Sequence, residues 1–335
     1  MLRSRSLICC AAAALSLSCA GKSPKAPGAD LSYLPLDTVF VASVDAAALR
    51  RAPLYRDLDS HFAKEKGKWV EVKTFLLHLG IDPEKDLESF LLGYRSARER
   101  SGEWVAVLRG RFDVGRIEKG LEGPGARIAA DPYRGKTIYN LVSVPEVGDL
   151  SLTLLDSTAV AVGRAEMLRR VLDVHSGKAP SLATNPDIRK LASGLDPRAQ
   201  IWAVLDGREV ARMMREREPA GRGTLDDTVN GLASMRSGRF SAAFSADLAL
   251  ALDLESDTEK NARNLADALR GILAFGKMGI GGKDPDTIRA IEAIRVENDR
   301  TAVRLRMDLS GASVKSLQSR FGESPGLPPV LSTPR

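Results

Sequence analysis

Beyond residue 19 the chain contains no cysteine: all three, Cys9, Cys10 and Cys19, lie at its start. No disulfide framework and no thiolate metal site is available to the rest of the chain. Histidine is nearly as scarce. There are three, His61, His78 and His175, with no two at ligand spacing. That removes the commonest zinc arrangement and leaves little for acid–base chemistry. Aromatics make up only 5% of the residues, so the core must rest on Leu, Val, Ile and Ala. A surplus of one charge is lacking too. The 49 basic and 43 acidic residues leave a formal charge of +6, scattered along the chain. So diffuse an excess bears on solubility; nucleic-acid binding takes basic stripes with stacking aromatics. No nucleic-acid partner, no metal and no cofactor is expected.

What is present begins with an address. Arg3 and Arg5 precede an apolar run, Leu7 to Leu17, broken only by Ser16. Small residues follow. This is the pattern of a secretory signal, and the run is too short to span a bilayer. Leu15-Ser16-Leu17-Ser18-Cys19-Ala20 resembles a bacterial lipoprotein processing box, in which a small residue precedes the cysteine that is lipidated and becomes the mature N-terminus. Ser18 and Cys19 fit. Ser16 departs from the box, where an aliphatic residue is usual, so ordinary cleavage near Ala20 remains the alternative. The resemblance implies lipidation at Cys19 and a bacterial membrane as partner through that lipid. Ala20, with no Asp after the cysteine, implies the outer membrane, with the protein facing the periplasm. Without lipidation the chain would be periplasmic or secreted. Removing residues 1–18 takes away two Arg and leaves +4 (6 minus 2).

The expected organisation is a signal peptide (1–18), a Pro/Gly/Lys tether (19–32), two α+β domains (33–182 and 183–322) and a disordered tail (323–335). The domain reading rests on a repeated strand-to-helix unit. Thr38 to Leu54 reads as a strand, then Asp45 as helix cap, then helical spacing; Ala199 to Met213 repeats it. Aligning Asp45 with Asp206 sets Phe40 on Ile201, Ala42 on Ala203 and Val44 on Leu205. Asp82-Pro83 and Asp284-Pro285 each read as a helix start followed by a hairpin and a further helix, a second echo. Asn185-Pro186 caps a helix that ends at Gly194. Ser256 and Glu259 read as a capping box for a helix with the stripe Ala262, Leu265, Ala266, Leu269, Ile272 and Leu273, closed by Gly276. The fold class is α+β: two related domains, each a mainly antiparallel sheet with helices on one face.

The run DTVFVASVDAAAL, the strand RGKTIYNL and the stretch SLATNPDIRKLASGLDPRAQIWAVLD are similar to a family of bacterial envelope lipoproteins common in myxobacteria-like genomes. That resemblance covers most of the mature chain. It implies an envelope location and brings no activity with it.

No catalytic set emerges. Ser60 and His61 are adjacent, and adjacent helix residues point apart; with Asp57 they are the best hydrolase candidates. His78 reads as a half-buried helix position and His175 as a helix end, where a cation favours the dipole. Gly276 to Lys283 misses the phosphate-loop spacing and reads as a flexible connection. Asp226-Asp227 reads as a helix start. Arg169-Arg170 and Arg212, Arg215 and Arg217 read as solvated helix faces with lipid headgroups as the alternative. Trp69, Trp104 and Trp202 read as core. The expectation is a membrane-tethered, non-enzymatic binding or interaction module whose partner is an envelope protein or small ligand. A periplasmic carrier of an apolar ligand and a secreted hydrolase are the alternatives.

Overall fold

A computed structural model describes residues 28, 30–62, 74, 76–95, 103–121, 128–144, 148–208, 234–280 and 285–321. Cys19, Trp69, Asp226, Asp227, Arg212, Arg215, Arg217 and the tail lie outside the described residues.

Strand β1 (Phe40–Val44) starts the molecule's middle. Its alternation buries Val41 and Ser43 on one side and leaves Phe40, Ala42 and Val44 half-buried on the other. Asp45 ends it and accepts a bond from the Ala48 N–H at 2.7 Å, opening α1 (Ala46–Arg51). After α2 (Pro53–Phe62) come β2 (Leu87–Arg95), β3 (Glu103–Gly110) and α3 (Val114–Leu121). Next are β4 (Ile128–Tyr133), β5 (Lys136–Val144), β6 (Gly148–Asp156), β7 (Ala159–Gly163) and α4 (Ala165–His175). A 3-10 turn (Leu182–Thr184) leads to α5 (Pro186–Ser193), whose cap Asn185 accepts from the Asp187 and Ile188 N–H groups. The chain continues as β8 (Ile201–Asp206), β9 (Met235–Phe244), β10 (Leu248–Ser256), α6 (Glu259–Ile280), α7 (Pro285–Glu292), β11 (Ile294–Asp299), β12 (Ala302–Leu309) and α8 (Gly311–Phe321).

The strands form one antiparallel twelve-stranded sheet, in the order β11-β12-β10-β9-β8-β1-β2-β3-β7-β6-β5-β4. The α+β class is thus borne out. The two related halves share this sheet: β1 pairs with β8. Ala42 lies opposite Ala203, Phe40 opposite Leu205 and Val44 opposite Ile201. These are the positions the sequence repeat makes equivalent, so a local two-fold axis passes between Ala42 and Ala203. The Asp45 N–H donates to the Gln200 carbonyl and the Asp206 N–H to the Val39 carbonyl, both at 2.7 Å. The equivalence extends outward. β2 and β3 match β9 and β10, β6 and β7 match β11 and β12, and α4 matches α8. The hairpin β4–β5 belongs to the first half alone.

Neighbouring residues of one strand face opposite sides of the sheet. Val105, Val107, Ala159 and Ala161 meet Met167, Leu168, Val171 and Leu172 of α4, with Ile188 and Ala192 of α5 beside them. Leu108, Val160, Leu152 and Leu154 face the other way, onto Ile117 and Leu121 of α3 with Leu76 and Leu79. Helices therefore cover both faces of the first half, where one face was expected. A third cluster joins Leu254 and Val303 to Ala262, Leu265 and Ala266 of α6. Each such fully buried Leu, Val or Met contributes on the order of 2 kcal/mol.

Four local expectations are corrected. Asp82-Pro83 opens turns, with the Glu84 N–H donating to Asp82 Oδ1, and the chain then enters β2; only Asp284-Pro285 leads into a helix. The second echo therefore joins elements that the sheet does not equate. The α6 cap is Thr258, whose Oγ1 accepts from the Asn261 N–H, while Ser256 still belongs to β10. Helix α6 runs past Gly276 to Ile280, because Lys277 and Met278 are good helix formers and Lys277 pairs with Glu292 of α7 at 2.7 Å. Finally, the folded part reaches back before residue 33. Leu31 and Leu34 are core residues and Asp30 pairs with Arg109 at 2.7 Å, so residues 30–32 are a docked strap, not tether.

Candidate functional site

Two surfaces of the sheet stand out, and both arise from strand alternation. On one side of the second half, β9, β10 and β12 present Arg239, Ser241, Ala251, Asp253, Arg306 and Asp308. Asp253 stands at the centre. Its Oδ2 accepts from Arg239 Nε at 2.7 Å and lies 2.7 Å from Arg239 Nη2; its Oδ1 lies 2.5 Å from Arg306 Nη2. Arg306 Nη1 also donates to the Leu305 carbonyl at 2.9 Å. The Arg239 guanidinium occupies the space beside Gly194, where an added Cβ would come within 1.6 Å of Nη1. The end of α5 thus leans on a charged cluster and borders a shallow cavity of about 360 Å³ that Asp196 and Arg198 also line. Asp196 is held below the ordinary carboxylate range, chiefly by the bond from Arg198. Guanidinium groups stay protonated and cannot act as bases. The cluster can fix a polar group by hydrogen bonds.

The opposite side is apolar from end to end. One row runs Leu92, Ala42, Ala203, Phe240, Leu252 and Leu305 across six strands. The row beside it runs Phe90, Val44, Ile201, Ala242, Leu250 and Met307. All of these except Ala242 are only half-buried. Such a patch, continuous over the middle of the molecule, is the kind of surface that receives an apolar partner.

The candidates drawn from sequence do not converge. Ser60 and His61 are consecutive on α2, and their side chains lie outside the described part. Asp57 is tied to Lys315 of α8, and that bond is the main cause holding its carboxyl low. His78 is exposed, not half-buried, because Leu76 and Leu79 take the inward positions of its turn. His175 is exposed at the end of α4. Burial pushes the Asp156 carboxyl up, but bonds from the Thr158 hydroxyl and N–H, with His175 and Arg109 nearby, outweigh this and hold it low. Arg169 pairs with Asp131 and Glu166, and Arg170 with Asp37 and Glu103, so both brace α4. Trp104 is half-buried in one cluster and Trp202 is buried in another. Sequence reading passed over Arg239, Asp253 and Arg306. The period-two alternation of LALALDLES, with Asp253 at a position that faces away from the leucines, was the signal for Asp253 alone.

Among the described residues no group of three or more His, Cys, Asp or Glu side chains is arranged to hold a metal ion. Among them also, no helix is long and apolar enough to cross a membrane. No family model matches the chain, and no curated protein matches it. A search of solved structures returned crystal form IV of TP0453, at 10% identity and a TM-score of 0.44, covering 86% of this chain and 96% of that one.

Proposed function

We propose that this is a membrane-tethered bacterial envelope lipoprotein that works as a non-enzymatic binding or interaction module. The observation that carries the reading is the processing box ending at Cys19, placed directly after a signal-type apolar run and eleven residues before the docked strap at Asp30 (30 minus 19). More than one acyl chain is needed for stable anchoring, and a triacylated cysteine supplies it. The expected result is a mature native chain starting at Cys19 with an acyl-sized mass increment, sedimenting with membranes. Cys19→Ala releases it to the soluble fraction with no increment. An unmodified N-terminus beyond Cys19 in a soluble native chain sinks the proposal.

The half-buried apolar rows favour a second reading, a carrier of an apolar ligand held against the sheet. A fluorescent fatty acid then binds saturably, and Phe240→Asp, which puts a charge in the middle of the row, weakens binding about tenfold or more. Absence of saturable binding by the wild-type chain removes this reading and leaves the first intact.

A further inference from the structure

The internal two-fold makes the two ends of the sheet comparable, and they differ. In the first half, the outer side of β6 is taken by β5, and β4 lies beyond it. The equivalent strand of the second half is β11, and among the described residues no strand pairs with its outer side. The β4 edge carries Pro132, which removes a donor from the outermost strand. β11 is Ile-Arg-Val-Glu-Asn-Asp and has no proline. The Val296 carbonyl accepts from Arg270 Nη2 of α6 at 3.0 Å, and a carbonyl oxygen has a second lone pair to offer. An open strand of this kind is a template for pairing unless something covers it.

A second observation falls at the same place. Helix α6 crosses the sheet from Leu254 and Val303 to the edge, where Leu269 and Val296 pack against the same cluster and Arg270 bonds to the Val296 carbonyl. The helix then continues for ten residues (271 to 280) as Gly-Ile-Leu-Ala-Phe-Gly-Lys-Met-Gly-Ile. Ile272, Phe275 and Met278 are 55%, 74% and 71% exposed. Spaced three apart, they share one side of the helix. α7 takes the other side, through Glu292 on Lys277 and Ile291 beside Gly276. The largest exposed apolar side chains of the described molecule thus lie beside its open strand.

We propose that this end of the sheet is the docking surface for a second copy of the chain, with β11 pairing antiparallel to its counterpart and the Ile272–Phe275–Met278 side of each α6 covering the joint. Charge selects a copy as the occupant. With Val296 on the two-fold axis, Arg295 lies opposite Glu297 of the other copy, and the pair occurs twice. Shifting the axis to Glu297 sets two carboxylates face to face, so one register is favoured. The closed two-fold contact uses up both open edges and stops there, which a head-to-tail contact does not. The inference does not depend on the lipid anchor.

The test is sedimentation of the full-length Cys19→Ala chain over a dilution series, with charge exchange at the joint. Wild-type β11 is expected to give a dimer that dissociates on dilution. Glu297→Arg alone places Arg opposite Arg twice and weakens the dimer at least about tenfold. Adding Arg295→Glu restores it, a recovery that misfolding does not produce. Phe275→Ser weakens it without affecting the restored charge pairing. A chain monomeric at every concentration overturns the proposal. So does a dimer indifferent to Glu297→Arg, and so does a monomer that binds phospholipid vesicles through Phe275.

Discussion

Trp202→Ala is expected to lower the unfolding free energy by about 3–5 kcal/mol, the range for emptying a buried tryptophan site. The loss should appear in a single transition of the whole chain. Trp202 is 6% exposed and sits on β8, opposite Ser43 of β1 and Ser241 of β9. Its cluster holds Val41 and Leu91 from the first half, Ile188 and Ala192 of α5, and Val204 from the second. The two halves therefore share a core as well as a sheet, and neither can lose its seam without exposing the other's. The variant carries its own reporter. With Trp202 gone, the remaining tryptophans are Trp69 and Trp104, both in the first half. Guanidinium unfolding followed by their fluorescence reads the first half, and far-UV circular dichroism reads both. Coincident curves, both shifted from wild type, mean that the halves unfold as one unit. Fluorescence that keeps its wild-type midpoint while circular dichroism shifts means two independent domains, and the shared core then counts for little.

How far the sequence reveals this arrangement differs from element to element. The repeated unit at Asp45 and Asp206 is legible because strand alternation and a helix cap are local, and each recurs in a short window. It even contains the seam: the alignment that equates Ala42 with Ala203 also names the residues on the two-fold axis. Nothing local says that the copies pair with each other, since pairing depends on the free edges that β1 and β8 offer. The false echo at Asp82-Pro83 fails for the same reason. Asp-Pro is a good helix start, but here Asp86 Oδ2 takes the Asp82 N–H at 2.7 Å and closes a turn instead. On α6, the periodic stripe shows through Leu269 and misleads beyond it. Ile272 keeps the apolar spacing, yet the sheet beneath ends at β11, so the residue is exposed. The charged cluster at Asp253 was hidden because its members come from three strands.

Leu34→Ala is expected to cost about 2–5 kcal/mol, as for other leucines removed from a packed site. Leu34 is 0% exposed and lies two residues beyond the segment whose composition reads as tether. Two contacts explain the difference. Its side chain fills the hollow over Gly93 of β2, where an added Cβ would stand 2.7 Å from Leu34 Cδ2. Its carbonyl accepts the Leu182 N–H at 2.7 Å, and Pro35 bridges to Ser181 in the segment that joins the halves. Upstream, Asp30 holds Arg109 of β3, whose guanidinium also lies 5.3 Å from the Tyr33 ring centre. The strap thus ties β2 and β3 to the start of α5. Truncating Leu34 leaves a cavity that Gly93 cannot fill, because it has no side chain to move in. Two readouts separate global from local loss. Denaturant midpoints report the whole molecule, and hydrogen exchange at the Leu182 amide reports the clasp. Both should shift together. If only the amide exchanges faster, the strap opens on its own and the rigid body begins at β1. Under the proposed anchoring this distinction is mechanical: a pull on the lipid is carried into the sheet at Leu34 in the first case, and is absorbed by an opening strap in the second.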